Sequence, residues 1–169
     1  MPAANLSTLP GFVRDAGALT EIDLSPITSS TVTMSTSFRD TPKLVKVTYP
    51  HNKEIIGNTY YTFRQSSTTN ELTTIDFNGC DLSGINSYAG NMFNNCAHLT
   101  TLIGPVTGIL LNLDISDAPL TRDSVLVLIN GLEEVSTTKT LTIKASSYNL
   151  LTEDDIAIAT NKGWTIASA

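Results

Sequence analysis

The side chains able to do chemistry are few and scattered. His51 and His98 are the only histidines, and neither lies at metal-ligand spacing from a second ligand. His98 stands one residue before an apolar leucine inside a repeated segment, and His51 follows Pro50 in a loop beside Lys53 and Glu54. Cys80 and Cys96, sixteen residues apart, are too few for a disulfide framework. They read as reduced, half-buried thiols, with a bridge between neighbouring repeats as the alternative. The aspartates of Asp76-Phe77-Asn78-Gly79-Cys80-Asp81 and Asp114-Ile115-Ser116-Asp117 lack the alternating ligands and terminal Glu of an EF-hand loop. Turn-stabilising hydrogen bonds account for them. No Gly-x-Ser-x-Gly elbow, P-loop or dinucleotide fingerprint occurs in the sequence. Carboxylates clustered on one ladder would suit a hydrolase or lyase, but Glu21, Asp23 and Asp76 are split by Lys46 and Thr48. No enzyme, cofactor or metal is expected.

What remains is hydroxyl chemistry at regular intervals, and a repeat sets the interval. Four times a phenylalanine precedes a Leu-x-x-apolar segment: Phe12…Leu19-Thr20-Glu21-Ile22, Phe38…Leu44-Val45-Lys46-Val47, Phe63…Leu72-Thr73-Thr74-Ile75 and Phe93…Leu99-Thr100-Thr101-Leu102. The leucines step by 25, 28 and 27 residues, the period of a leucine-rich solenoid. Such a fold stacks short parallel strands about 4.8 Å apart, so equivalent positions form ladders. The outward ladders are Thr20–Val45–Thr73–Thr100, Glu21–Lys46–Thr74–Thr101 and Asp23–Thr48–Asp76–Ile103, with Glu21 able to pair with Lys46. Threonine here is either a good strand residue on a solvated face or a hydroxyl-rich docking face for a protein or glycan. Each phenylalanine is expected to plug the core. Outside the repeat, Tyr60 and Tyr61 either make a partner contact or extend the second coil and bury one ring.

The repeats break at Gly104-Pro105. Beyond them, Thr121 caps a helix with Val125, Leu128, Ile129 and Leu132 on one face. A strand follows over Thr140 to Ala145. A second helix starts at Thr152 with a capping box to Asp155 and ends at Gly163, and Trp164 to Ala167 form a last strand. This helix–strand–helix–strand unit would cover the open end of the stack. The expected fold class is α/β: a short solenoid of about four coils with an α/β cap. Residues 1–8 read as an arm, 9–105 as the coils and 106–169 as the capping unit, in one continuous domain.

With 169 residues and a net charge of −6, the chain can bury one core. No Lys/Arg cluster is apparent along the sequence, which argues against nucleic-acid binding. The N-terminal segment lacks the basic and apolar regions of a signal peptide. The longest apolar runs are too short to span a bilayer, so membrane insertion is not expected.

Phe93-Asn94-Asn95-Cys96-Ala97-His98-Leu99-Thr100-Thr101-Leu102 resembles the F-x-x-C-x-x-L-x-x-I repeat of BspA-like leucine-rich repeat proteins. The ending from Leu151 to Thr165, with Thr152-Glu153-Asp154-Asp155 and Gly163-Trp164, resembles that of such proteins from gut bacteria and their phages. The resemblance implies a non-enzymatic protein, either a virion component (capsid or head fibre, decoration or tail-associated protein) or a secreted bacterial surface adhesin. The missing signal peptide favours the virion. Expected partners are other virion proteins, or a host-surface protein or glycan met during attachment. Self-association into a symmetric oligomer is compatible with either reading.

Overall fold

The computed structural model describes residues 6–87 and 92–169. Up to residue 103 the strands are β1 (Glu21–Asp23), β2 (Thr31–Val32), β3 (Lys46–Thr48), β4 (Glu54–Ile55), β5 (Gly57–Asn58), β6 (Thr74–Asp76), β7 (Ile85–Ser87) and β8 (Thr101–Ile103). The Leu-x-x-apolar segments supply β1, β3, β6 and β8, which pair in parallel in that order. Their register runs Glu21–Lys46–Thr74–Thr101, Ile22–Val47–Ile75–Leu102 and Asp23–Thr48–Asp76–Ile103. These are the ladders read from the leucine spacing. Strand side chains alternate between faces, so the middle residues turn inward. Val47, Ile75 and Leu102 are buried, while Ile22, on the first and outermost strand, is only partly covered.

Two smaller parallel pairs, β2–β4 and β5–β7, repeat the stacking elsewhere in each layer. A third strip is built from turns. Leu9, Gly11, Val13 and Asp15 donate their amides to Thr33, Ser35, Ser37 and Arg39, and Thr36, Phe38 and Asp40 donate to Tyr60, Thr62 and Arg64. This ladder aligns Val13 with Phe38, Phe63 and Phe93, and it corrects the reading of Phe12 as a core plug. Phe12 shares its position with Ser37 and Thr62, whose buried hydroxyls donate to the preceding layer at Leu9 O (2.6 Å) and Met34 O (2.9 Å). Among the described residues no layer precedes the first to receive such a bond, and Phe12 lies 48% exposed. Phe38, Phe63 and Phe93 are buried as expected, with ring centroids 5.2 and 5.5 Å apart. Tyr49, from the end of β3, reaches Phe63 at 6.1 Å, so the core lies between the sheet and the turns.

The remaining elements are β9 (Leu113–Ile115), α1 (Arg122–Gly131), β10 (Lys139–Ile143), α2 (Ala145–Tyr148), α3 (Glu153–Asn161) and β11 (Trp164–Ser168). The parallel order is β9–β10–β11. Both helix starts are as expected: Thr121 accepts from Ser124 N, and Thr152 with Asp155 forms a capping box. Gly163, at φ +85°, takes the left-handed turn after α3. Two features differ from the sequence reading. The strand over Thr140 to Ala145 stops at Ile143, because Lys144 caps the four residues that wind into α2. That turn is fixed by Ala145 N donating to Ala169 O and by the Ser147 hydroxyl donating to Leu120 O at 2.8 Å. The strand β9 was not anticipated.

The helix α1 closes the last edge of the four-stranded sheet. Ser124, 2% exposed, accepts the Leu102 amide (2.9 Å) and donates to Thr100 O (3.0 Å), as a neighbouring strand would. Lys162 donates to Ile129 O, Asn130 O and Leu132 O at the end of α1, a favourable place for a cation. One apolar cluster runs from Leu9 to Ile166. The described residues therefore form a mixed α/β protein of several small parallel sheets, with few helices and no closed barrel among them.

Arg122 and Asp155 join the starts of α1 and α3 through two bonds, at 2.9 and 2.7 Å. The Thr152 amide, followed by Arg122, holds the Asp155 carboxyl below its usual range. A carboxylate depressed in the folded state stabilises fully above its unfolded pKa of about 3.9, and that contribution disappears as pH falls through the folded value. Thermal melts from pH 7 to pH 2.5 should therefore fall steeply only below about pH 4. Asp155→Asn should lower the melting temperature at pH 7 and flatten the acid limb.

Candidate interaction surfaces

The outward face of the β1–β3–β6–β8 sheet gathers Thr20, Glu21, Asp23, Lys46, Thr48, Thr73, Thr74, Asp76, Thr100 and Thr101. Four strands at the usual spacing give a strip roughly 14 Å across. Its hydroxyls bond mainly within the strip: Thr73 with Thr74 (3.3 Å), Thr100 with Thr101 (3.2 Å), and Thr73 to Val45 O (3.3 Å). The expected Glu21–Lys46 ion pair is not among those formed by the described residues. The two side chains sit on adjacent, solvated strands, where holding two long chains together gains little. The Lys46 charge instead helps lower the Asp23 carboxyl, an effect led by the hydrogen bond from Ser25.

The aspartates at or near strand ends serve turns. Asp23, Asp76, Asp81 and Asp114 each accept the amide two residues on, at 2.8–3.0 Å, as Asx turns do. His51 bonds Asn78 and Asn52 at 3.0 and 3.1 Å. His98 is exposed. No cluster of three or more His, Cys, Asp or Glu side chains suited to a metal occurs among the described residues.

Both cysteines are free, and they are fully rather than half buried. Both belong to the continuous apolar cluster of the core. Cys80 donates to Pro50 O (3.0 Å) and Cys96 to Phe63 O (3.3 Å). Burial pushes the Cys80 thiol up to about 12 and raises Cys96 as well. Since the thiolate is the reactive form, an alkylating reagent at pH 8 should modify neither cysteine in the folded protein and both in denaturant. Intact-mass measurement reads this directly.

Tyr60 and Tyr61 lie apart from the threonine strip, on the stacked turns across the core. Neither ring enters the core: Tyr60 is 38% exposed and Tyr61 half-buried. The hydrogen bond with Tyr61 raises the Tyr60 phenol. Tyr61 has a left-handed φ of 54°, but Gly11 and Thr36, its equivalents in the layers before, share that conformation. The turn therefore demands it.

Beside the tyrosines the stack assembles what the linear sequence disperses. Arg14, Arg39 and Arg64 are 25 residues apart, and the turn ladder places them in equivalent positions of three successive layers. The absence of a basic cluster along the sequence thus does not hold in space. Arg39 and Arg64 both lie over the Tyr61 ring, with Cζ 5.4 and 4.4 Å from its centroid. Arg14 pairs with Asp15 at 3.3 Å and Arg39 with Asp40 at 3.0 Å. The 25-residue step of the arginines, equal to the first leucine step and close to the later ones, was the signal available in the sequence.

No family model, curated protein or solved structure matches the chain.

Proposed function

We propose that the chain is a short leucine-rich β-solenoid of the BspA-like kind, a non-enzymatic structural and binding protein of a bacteriophage particle. In this role it is a capsid fibre, decoration or tail-associated protein that contacts another virion protein or the host surface. The observation that carries the reading is the difference between the two ends of the stack. The edge of β8 is closed by α1 through Ser124. The outer edge of β1 pairs with no strand among the described residues, and Phe12 and Leu6 lie exposed at 48% and 41%. A stack closed at one end and open at the other suits attachment through the open end and presentation of the flanks. Repeat stacks offer extended binding surfaces of this sort.

The open edge also suits further coils stacked in front of β1. That favours, as a second reading, a repeat fragment of a secreted bacterial surface adhesin. Mass spectrometry on density-purified phage particles and on washed host envelopes separates the two. Peptides at fixed stoichiometry in particles support the virion role; peptides confined to the envelope overturn it in favour of the adhesin.

A further inference from the structure

We propose that Arg64, flanked by Tyr60 and Tyr61, receives the carboxylate of an acidic sugar. The arginine column carries its own counter-charges in two layers, because Asp15 and Asp40 follow Arg14 and Arg39 and pair with them. In the third layer the equivalent residue is Gln65. Its amide points inward and donates to Phe38 O and Phe63 O, at 3.2 and 3.0 Å. Arg64 therefore has no carboxylate partner among the described residues. Its Nε is buried without an acceptor, and its terminal nitrogens form no ion pair among the described residues. An unpaired guanidinium held over a tyrosine ring, with Cζ 4.4 Å from the centroid, is preorganised for the planar, two-bond recognition of a carboxylate.

The chemistry around it selects a sugar over a peptide or a nucleic acid. An extended peptide adds to a sheet through unpaired backbone groups, but the backbone here is engaged between layers: Thr36, Phe38 and Asp40 donate to Tyr60, Thr62 and Arg64. Nucleic acid requires several cations to displace counterions; here one unpaired arginine stands on a chain of net charge −6. A pyranose carboxylate matches a single charge. The exposed Tyr60 ring offers an apolar face to the C–H side of the ring and a hydroxyl to its alcohols.

This deepens the reading of a host-contacting surface, but its test is independent of where the protein resides. Trigalacturonate would be titrated into the full chain by calorimetry and by amide chemical-shift mapping, beside its methyl ester and a hexaglutamate peptide. The expected result is binding of trigalacturonate at least tenfold tighter than the ester, with shifts centred on residues 60–64. Arg64→Gln should weaken binding about tenfold, Tyr60→Ala should also weaken it, and Arg14→Gln should leave it unchanged. Equal affinity for the ester, no binding at all, or full affinity in a folded Arg64→Gln protein would overturn the proposal. Should Arg64→Gln fail to fold, full affinity in the surface variant Tyr60→Ala overturns it instead. Tighter binding of hexaglutamate reassigns the site to acidic peptides and overturns it too. Specific sugar binding by a protein absent from particles would sink the virion reading alone.

Discussion

Replacing Phe63 by alanine should cost about 3–5 kcal/mol of folding stability, the range for a large aromatic removed from a packed core. Phe63 is fully buried and is the shared member of the ring contacts with Phe38, Phe93 and Tyr49, at 5.2, 5.5 and 6.1 Å. It touches a ring in the layer before and in the layer after, so neither neighbour can close the space without leaving its own place. A chain of this size has roughly 10 kcal/mol to lose, and the variant should unfold at a far lower urea concentration. Phe12→Ala, at the equivalent point of the sequence repeat but exposed, should change stability by less than about 0.5 kcal/mol. Urea unfolding of the two variants checks both the size of the effect and the one-residue offset between Phe12 and the core column.

Ser124→Ala should cost about 1–3 kcal/mol, the penalty for leaving a buried donor unpaired. The Leu102 amide has the Ser124 hydroxyl as its partner. Thr100 O loses one of two donors but keeps the Thr121 amide at 3.0 Å, and the Thr121 hydroxyl loses its 2.8 Å partner but keeps the Ser124 amide, so only the Leu102 amide is left bare. Amide exchange locates it: protection at Leu102 should drop more than protection at Val47, two strands away. An unchanged Leu102 exchange rate would mean that α1 does not act as the sheet's last partner.

The periodicity of leucines and inward residues carried enough information to give the sheet register, because a one-residue slip would turn every core side chain to solvent. Helix caps at Thr121 and Thr152 were equally legible, since capping is local chemistry. Phe12 misled because an aromatic was weighed by type rather than by distance from Leu19. Its true counterpart, Val13, shows no aromatic signal. The strand β9 was hidden by Asp114 and Asp117, which read as turn residues although Leu113 and Ile115 alternate correctly. The arginine column escaped for a different reason: residues scattered in the chain become neighbours only once the layers are stacked. The same stacking sets Tyr60 and Tyr61 on the turns, across the core from the threonine strip.

The parallel, in-register pairing of β1, β3, β6 and β8 also makes the molecule a ruler. Each layer meets only the one before and the one after, and both ends of the stack are chemically distinct. Duplicating a middle layer of 25–28 residues would displace the closed tip from the open base by one strand spacing, about 4.8 Å. It would leave both terminal surfaces as they are. Length is thus an adjustable property of this architecture, in whole increments, separable from the chemistry of either end.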